Sequence, residues 1–153
     1  MNKGLLLIAL AGSGYAGYEV FYKPSAAVQA YRQFSEALLQ GRNGEAKAYL
    51  SGEVAAGQFA RVEEEVGRSR AINQLVGSSY KVQSESRTEG GNKRTIHAQQ
   101  VVVWNPPGVS SAMGALRVYH DQKVVMEKKD GAWKVASLED TVTGSRDWKG
   151  NSL

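Results

Sequence analysis

The chain has 153 residues, 42% of them hydrophobic, which allows one globular domain with a short appendage and leaves no room for a second domain. Its net charge of +4 comes from Lys and Arg spread among Glu63, Glu64, Glu65, Glu139 and Asp140, and without an aromatic-rich basic run this pattern excludes a dedicated nucleic-acid face. The lack of cysteine excludes disulfides, thiol catalysis and cysteine-type zinc sites.

The N-terminal stretch places Lys3 before the apolar residues Leu5, Leu6, Leu7, Ile8 and Leu10, followed by the small residues of Gly12-Ser13-Gly14 and Ala16-Gly17. This pattern is an export signal cut after Ala16 or an uncleaved anchor from Gly4 to Tyr22, since roughly 17 to 25 residues span a bilayer. In the anchor reading Tyr15, Tyr18 and Tyr22 mark the interface. Either way the following domain is expected outside the cytoplasm, in a bacterial cell envelope: held at the inner membrane if anchored, periplasmic if cut. A buried first helix of a cytosolic protein is the less favoured alternative. The chain divides into a signal or anchor (1–22), a folded domain (23–142) and a polar tail (143–153) in which only Trp148 would dock.

Ser25 is the expected N-cap of a first helix. Ala27, Tyr31, Phe34 and Leu38, with Val28, Ser35 and Leu39 beside them, form one stripe ending near Gln40-Gly41. A short helix over Glu45 to Leu50 turns Ala46, Tyr49 and Leu50 inward. Ser51-Gly52-Glu53 opens a third helix striped by Ala55, Phe59, Val62 and Val66. Adjacent carboxylates at Glu63, Glu64 and Glu65 point about 100° apart and read as a solvated face, with Glu64 to Arg68 an ordinary helical pair.

After Gly77 the period changes to two. Tyr80, Val82, Ser84 and Ser86 share one side of a half-polar strand that ends at Glu89-Gly90-Gly91-Asn92. Its partner, Lys93 to Asn105, places Ile96, Ala98, Gln100, Val102 and Trp104 on one face and His97, Gln99, Val101 and Val103 on the other; Pro106-Pro107 ends it. A final hairpin from Met113 to Val142 turns at Asp130-Gly131, a strong type I′ signal. Leu116, Val118, Val124 and Met126 alternate with Arg117, Tyr119, Val125 and Glu127 on one arm, and Trp133 and Val135 with Lys134 and Ala136 on the other.

The predicted architecture is α+β: about three helices on a curved antiparallel sheet of about four strands, after an N-terminal hydrophobic helix. The first-helix pattern Ala-Val-x-x-Tyr-x-x-Phe-x-x-Ala-Leu-x-x-Gly and the closing Asp-Gly-Ala-Trp-Lys-Val resemble the nuclear transport factor two-like superfamily of cone-shaped domains over about Ser25 to Val142. The helices run consecutively, without the pair of short strands that many relatives insert. In that respect the chain looks like envelope-anchored members, including inner-membrane assembly factors of type IV secretion. The resemblance implies a long helix lying in the concave face of a bent sheet. It also implies that an enzyme of this kind would place an Asp or His base and a Tyr or Asp donor inside the cone.

Such chemistry needs a titratable group among apolar side chains. His120 is the best local candidate, sharing a face with Leu116 and Val118, and Tyr31, Tyr49 and Trp104 join it as candidate pocket residues. A packed core histidine is the simpler account, because nothing else titratable is evident on that face. His97 reads as a surface or dimer-face residue. Two histidines on different strands without a carboxylate at ligand spacing give no metal site, and no nucleotide-binding or nucleophile-elbow pattern occurs; no cofactor is expected. Val101, Val103 and Val125 form a candidate oligomer face. The favoured expectation is a non-catalytic envelope module binding other envelope proteins or its own copy, such as a secretion-system or other membrane-complex component. The alternative is a small-molecule binder or an isomerase- or dehydratase-like enzyme using the cone.

Overall fold

The computed structural model describes residues 23–88, 90–108, 115–147, 149 and 151–152. The expected membrane residues Leu5, Leu6, Leu7, Ile8 and Leu10, the hairpin's start at Met113, and Trp148 lie outside them. Among the described residues no helix is long and apolar enough to cross a membrane.

Three consecutive helices, α1 (Ala26–Leu39), α2 (Asn43–Ala48) and α3 (Gly52–Ile72), precede four strands: β1 (Gln74–Arg87), β2 (Lys93–Asn105), β3 (Leu116–Lys129) and β4 (Ala132–Arg146). The strands form one antiparallel sheet in the order β1-β2-β3-β4. Ser25 caps α1 by accepting from the Val28 N–H at 3.2 Å, and its hydroxyl donates to Glu85 on β1 at 2.7 Å, tying the helix start to the sheet. Gly41, at φ +73°, ends the helix in the left-handed conformation that glycine adopts without strain.

The α1 stripe Ala27, Tyr31, Phe34 and Leu38 is buried against the sheet face that carries Ile96, Ala98, Val124, Met126, Val135 and Leu138. Phe34 meets Phe59 of α3 with ring centroids 6.1 Å apart, and Trp133 packs on the same core. Truncating either phenylalanine to alanine is expected to cost about 3–5 kcal/mol. A second apolar cluster, Leu39, Val102 and Trp104 with Leu75, Leu116 and Val118 around it, lies toward the other end of the sheet.

β4 is an edge strand, and an open edge invites pairing with other chains. The α2–α3 junction covers part of it: Val135 N–H donates to the Tyr49 carbonyl at 2.7 Å and Ser51 N–H donates to the Val135 carbonyl at 2.8 Å. The turn at Asp130 (φ 51°) and Gly131 (φ 82°) has the two positive φ values that a type I′ hairpin requires.

Three boundaries or faces differ from the simple alternation, each for a stated reason. β1 begins at Gln74, not after Gly77, because its first residues pair with Trp104 and Asn105 across an irregularity at Val76. Within β1 a bulge at Gln83 sets Glu85 opposite Ile96, so Ser84 and Ser86 leave the face of Tyr80 and Val82. β4 continues past Val142 to Arg146, which pairs with Arg117, so the first residues of the expected tail belong to the sheet.

Candidate active site

The strand pairing of β3 with β4 builds the site. Val125 pairs with Ser137 and Met126 with Val135, leaving Ala136 as a surplus residue. A β-bulge of this kind shifts the period-two alternation by one. Before it Val135 points into the core; after it Leu138, Asp140 and the more exposed Val142 pair with Val124, Gln122 and His120 and border one cavity. The Leu138 N–H, next to the bulge, donates to Gln58 of α3 at 2.8 Å.

This shift brings a carboxylate to the imidazole. His120 Nδ1 lies 3.0 Å from Asp140 Oδ2, with side chains only 16% and 5% exposed. The carboxylate accepts, so Nδ1 carries a proton, and in the neutral ring that arrangement leaves the lone pair on Nε2. The second oxygen of Asp140 accepts from Gln122 Nε2 at 2.7 Å. Gln122 Nε2 also donates to Gln100 Oε1 at 2.9 Å, and Gln122 Oε1 accepts from the Tyr31 hydroxyl. Gln100 Nε2 continues the chain to Tyr80 Oη at 3.1 Å and Ser35 Oγ at 3.3 Å, and Tyr80 donates to Ser35 at 3.0 Å. The rings of Tyr31 and Tyr80 meet edge to face at 5.8 Å.

Burial pushes the Tyr31 phenol far above its ordinary value, and the neighbouring Tyr80 and Asp140 push it further. Tyr31 is therefore a hydrogen-bond donor at any working pH. Buried amides and hydroxyls are costly unless paired; here the pairing fixes Asp140, and through it the ring of His120.

The pair borders a cavity of about 110 Å³ where the two apolar clusters meet. Phe34, Leu38, Val66, Val102, Trp104 and Leu138 supply its apolar wall, and among the described residues its charged lining consists of Glu65 and Asp140, with no Lys or Arg. Of the four candidate pocket residues, His120, Tyr31 and Trp104 line this cavity. Tyr49 does not: its hydroxyl donates to Gln33 at 2.9 Å on the exposed side of α1, because the α2–α3 junction it belongs to is pinned to β4 by its backbone. Val101, Val103 and Val125 lie half-buried on the opposite, outer face. That face also carries an open groove of about 650 Å³ bordered by Ser79, Lys81, Gln99, Val101 and Tyr119. His97 is exposed on the same face, and among the described residues no three His, Asp or Glu side chains gather as a metal site. Glu64 and Arg68 pair at 3.9 Å on an exposed surface.

Asp140, Gln122, Gln100 and Ser35 are the members of this network that pattern reading did not bring to the site. Gln100 carried a usable signal, a polar side chain in the middle of the buried face Ile96 to Trp104. Asp140 carried none, because its face depends on the bulge.

Neither a protein-family model nor a curated relative matches the chain. Solved structures do. A scytalone dehydratase-like protein from Novosphingobium aromaticivorans matches with a TM-score of 0.56 and 13% identity, covering 82% of this chain and 87% of its own. A ketosteroid isomerase-like protein from Erwinia carotovora atroseptica matches at 0.55 and 10% identity, over 75% and 92% of the two chains. A hexachlorocyclohexane dehydrochlorinase from Novosphingobium barchaimii matches at 0.55 and 12% identity, over 84% and 92%. The architecture is therefore the nuclear transport factor two-like cone, with a helix laid across the concave face of an antiparallel sheet.

The neighbours correct the expected role. These structures carry the names of a dehydratase, an isomerase and a dehydrochlorinase, and the concave face, expected to hold a lone histidine, holds a His–Asp pair at a cavity wall. The non-catalytic envelope module is withdrawn in favour of the enzyme alternative.

Proposed function

We propose that the chain is a small-molecule enzyme of isomerase or dehydratase type that removes a proton from carbon. His120 Nε2 is the general base and Asp140 holds the ring in the tautomer that makes it one. The observation that carries this reading is the 3.0 Å contact between His120 Nδ1 and Asp140 Oδ2 at the cavity wall.

The lining limits the substrate. With Glu65 and Asp140 as its charged lining residues besides His120, and no Lys or Arg among the described residues to answer a carboxylate or phosphate, the cavity favours a neutral molecule. At about 110 Å³ it is smaller than the roughly 300–1,000 Å³ of drug-sized sites, so the substrate is compact and largely apolar. Water exclusion by the apolar wall strengthens the His–Asp interaction and protects a carbanion-like intermediate from side reactions.

The test is proton exchange. Small neutral carbon acids incubated in D2O with the protein are followed by NMR for deuterium uptake next to the activating group. Exchange above the buffer rate, reduced on the order of 10²–10⁴-fold in His120→Ala, supports the reading. Equal exchange by wild type and His120→Ala overturns it.

A further inference from the structure

We infer that the Ser35 hydroxyl is the donor that binds a substrate oxygen, which makes the substrate a neutral carbonyl compound losing the proton α to its C=O. This rests on the proton-abstraction role given to His120, and it comes from counting protons in the buried network.

Each side-chain donor in that network is spent within it except one. Tyr31 gives its proton to Gln122 Oε1. The amide of Gln122 gives its two to Gln100 Oε1 and Asp140 Oδ1. The amide of Gln100 gives its two to Ser35 Oγ and Tyr80 Oη, and Tyr80 gives its own to Ser35 Oγ. Ser35 thus accepts twice, and its own proton has no acceptor among the described residues. Turning the Tyr80 and Ser35 hydroxyls the other way only moves the surplus: Tyr80 would have to donate toward Ser78 Oγ at 3.5 Å, a poor contact. Helical serines often return their proton to the carbonyl one turn earlier, but no such bond to Tyr31 is made here.

A hydroxyl that is 4% exposed and lines the cavity therefore ends a directed series of hydrogen bonds with a donor to spare. The two bonds it accepts polarise that donor, and a buried donor left unpaired is costly. A carbonyl oxygen entering the cavity supplies the missing acceptor. As His120 Nε2 takes the α-proton, the C–H bond breaks and its electron pair becomes the new C=C bond. The carbonyl π pair moves to oxygen, and the resulting enolate oxygen accepts from Ser35, whose O–H bond stays intact. The imidazolium then returns its proton, to carbon in an isomerisation or to a departing β-hydroxide in a dehydration.

The probe is cyclopentanone labelled with ¹³C at the carbonyl, with ligand binding read from the carbonyl chemical shift and chemistry read from α-deuteration in D2O. Wild type and His120→Ala are both expected to move the bound carbonyl signal downfield, while only wild type exchanges. Ser35→Ala, smaller by one hydroxyl and favourable in a helix, is expected to lose the downfield shift and slow exchange by about 10²-fold. Tyr80→Phe, which keeps the Ser35 donor, is expected to retain the shift in reduced size. Exchange and carbonyl shift unchanged in Ser35→Ala overturn this assignment and leave the base intact, whereas undiminished exchange in His120→Ala overturns the base reading itself. No saturable binding of the ketone up to about 100 mM overturns the carbonyl class.

Discussion

The Tyr31 hydroxyl donates to the side-chain oxygen of Gln122, and that contact decides which way round the amide lies. With its oxygen committed to Tyr31, Gln122 must turn its NH2 toward Asp140. Tyr31→Phe leaves the buried amide oxygen without a donor, and the expected loss in a urea titration near neutral pH is about 1–3 kcal/mol. An unchanged midpoint would mean that the amide is held by Gln100 and Asp140 alone.

The same phenol gives a pH signature. Its folded-state pKa is raised, so its stabilising contribution is whole below the ordinary value of 10.0 and is lost as pH rises from there. Above that point the unfolded chain sheds this proton and the folded chain keeps it. Stability then falls by up to about 1.4 kcal/mol per pH unit. Unfolding curves from about pH 8 to about pH 11 are expected to show a shallower alkaline decline for Tyr31→Phe than for wild type; parallel declines would remove Tyr31 from the account.

Asp140→Asn keeps the shape of the site and changes its proton arrangement. An amide NH2 facing Nδ1 favours the tautomer with the proton on Nε2, which abolishes the base. A fall in kcat on the order of 10³–10⁴-fold with little change in KM is expected, together with a ¹⁵N spectrum of His120 in which the protonated nitrogen has switched. A switched tautomer without loss of exchange would separate the pair from the chemistry.

Gln58 supports the bulge from α3 by accepting from the Leu138 N–H. Gln58→Ala is expected to destabilise the fold by about 1–3 kcal/mol and to raise amide exchange at Leu138 before any other β4 position. If Leu138 stays as protected as in wild type, the bulge holds itself.

Self-association through the outer face is proposed on the half-buried valines there, Val101, Val103 and Val125. Light scattering is expected to give a dimer for wild type and a monomer for Val103→Asp. A wild-type monomer across the concentration range removes that face from consideration. The proposed export or anchor role of 1–22 is read from intact mass in membrane and soluble fractions, where loss of 16 residues marks a cut after Ala16.

Much of the frame was legible because it repeats. The α1 stripe, the buried face of β2 and the turn at Asp130-Gly131 each follow one period over many residues, and each lies where that period puts it. The site was legible only in part. His120 sits on a regular strand, so its inward face could be read from Leu116 and Val118. Asp140 could not, since alternation counted from Trp133 and Val135 assigns it to solvent and only the surplus Ala136 reverses that. Gln100 stands out as a polar residue within a buried strand face, whereas Ser35 and Gln122 are common polar residues whose meaning is collective: each looks ordinary until the packing of α1 and the strand register set its partners beside it.

The bulge at Ala136 also bears on how relatives of this chain should be compared. Beyond residue 136 the inward or outward assignment of β4 is a matter of phase, so a relative that keeps His120, Gln122 and Asp140 by identity but lacks the surplus residue holds its acid and imidazole on opposite sides of the sheet. For such chains a one-residue gap in an alignment, in a stretch that looks like tolerant edge strand, marks the difference between having the His–Asp pair and lacking it.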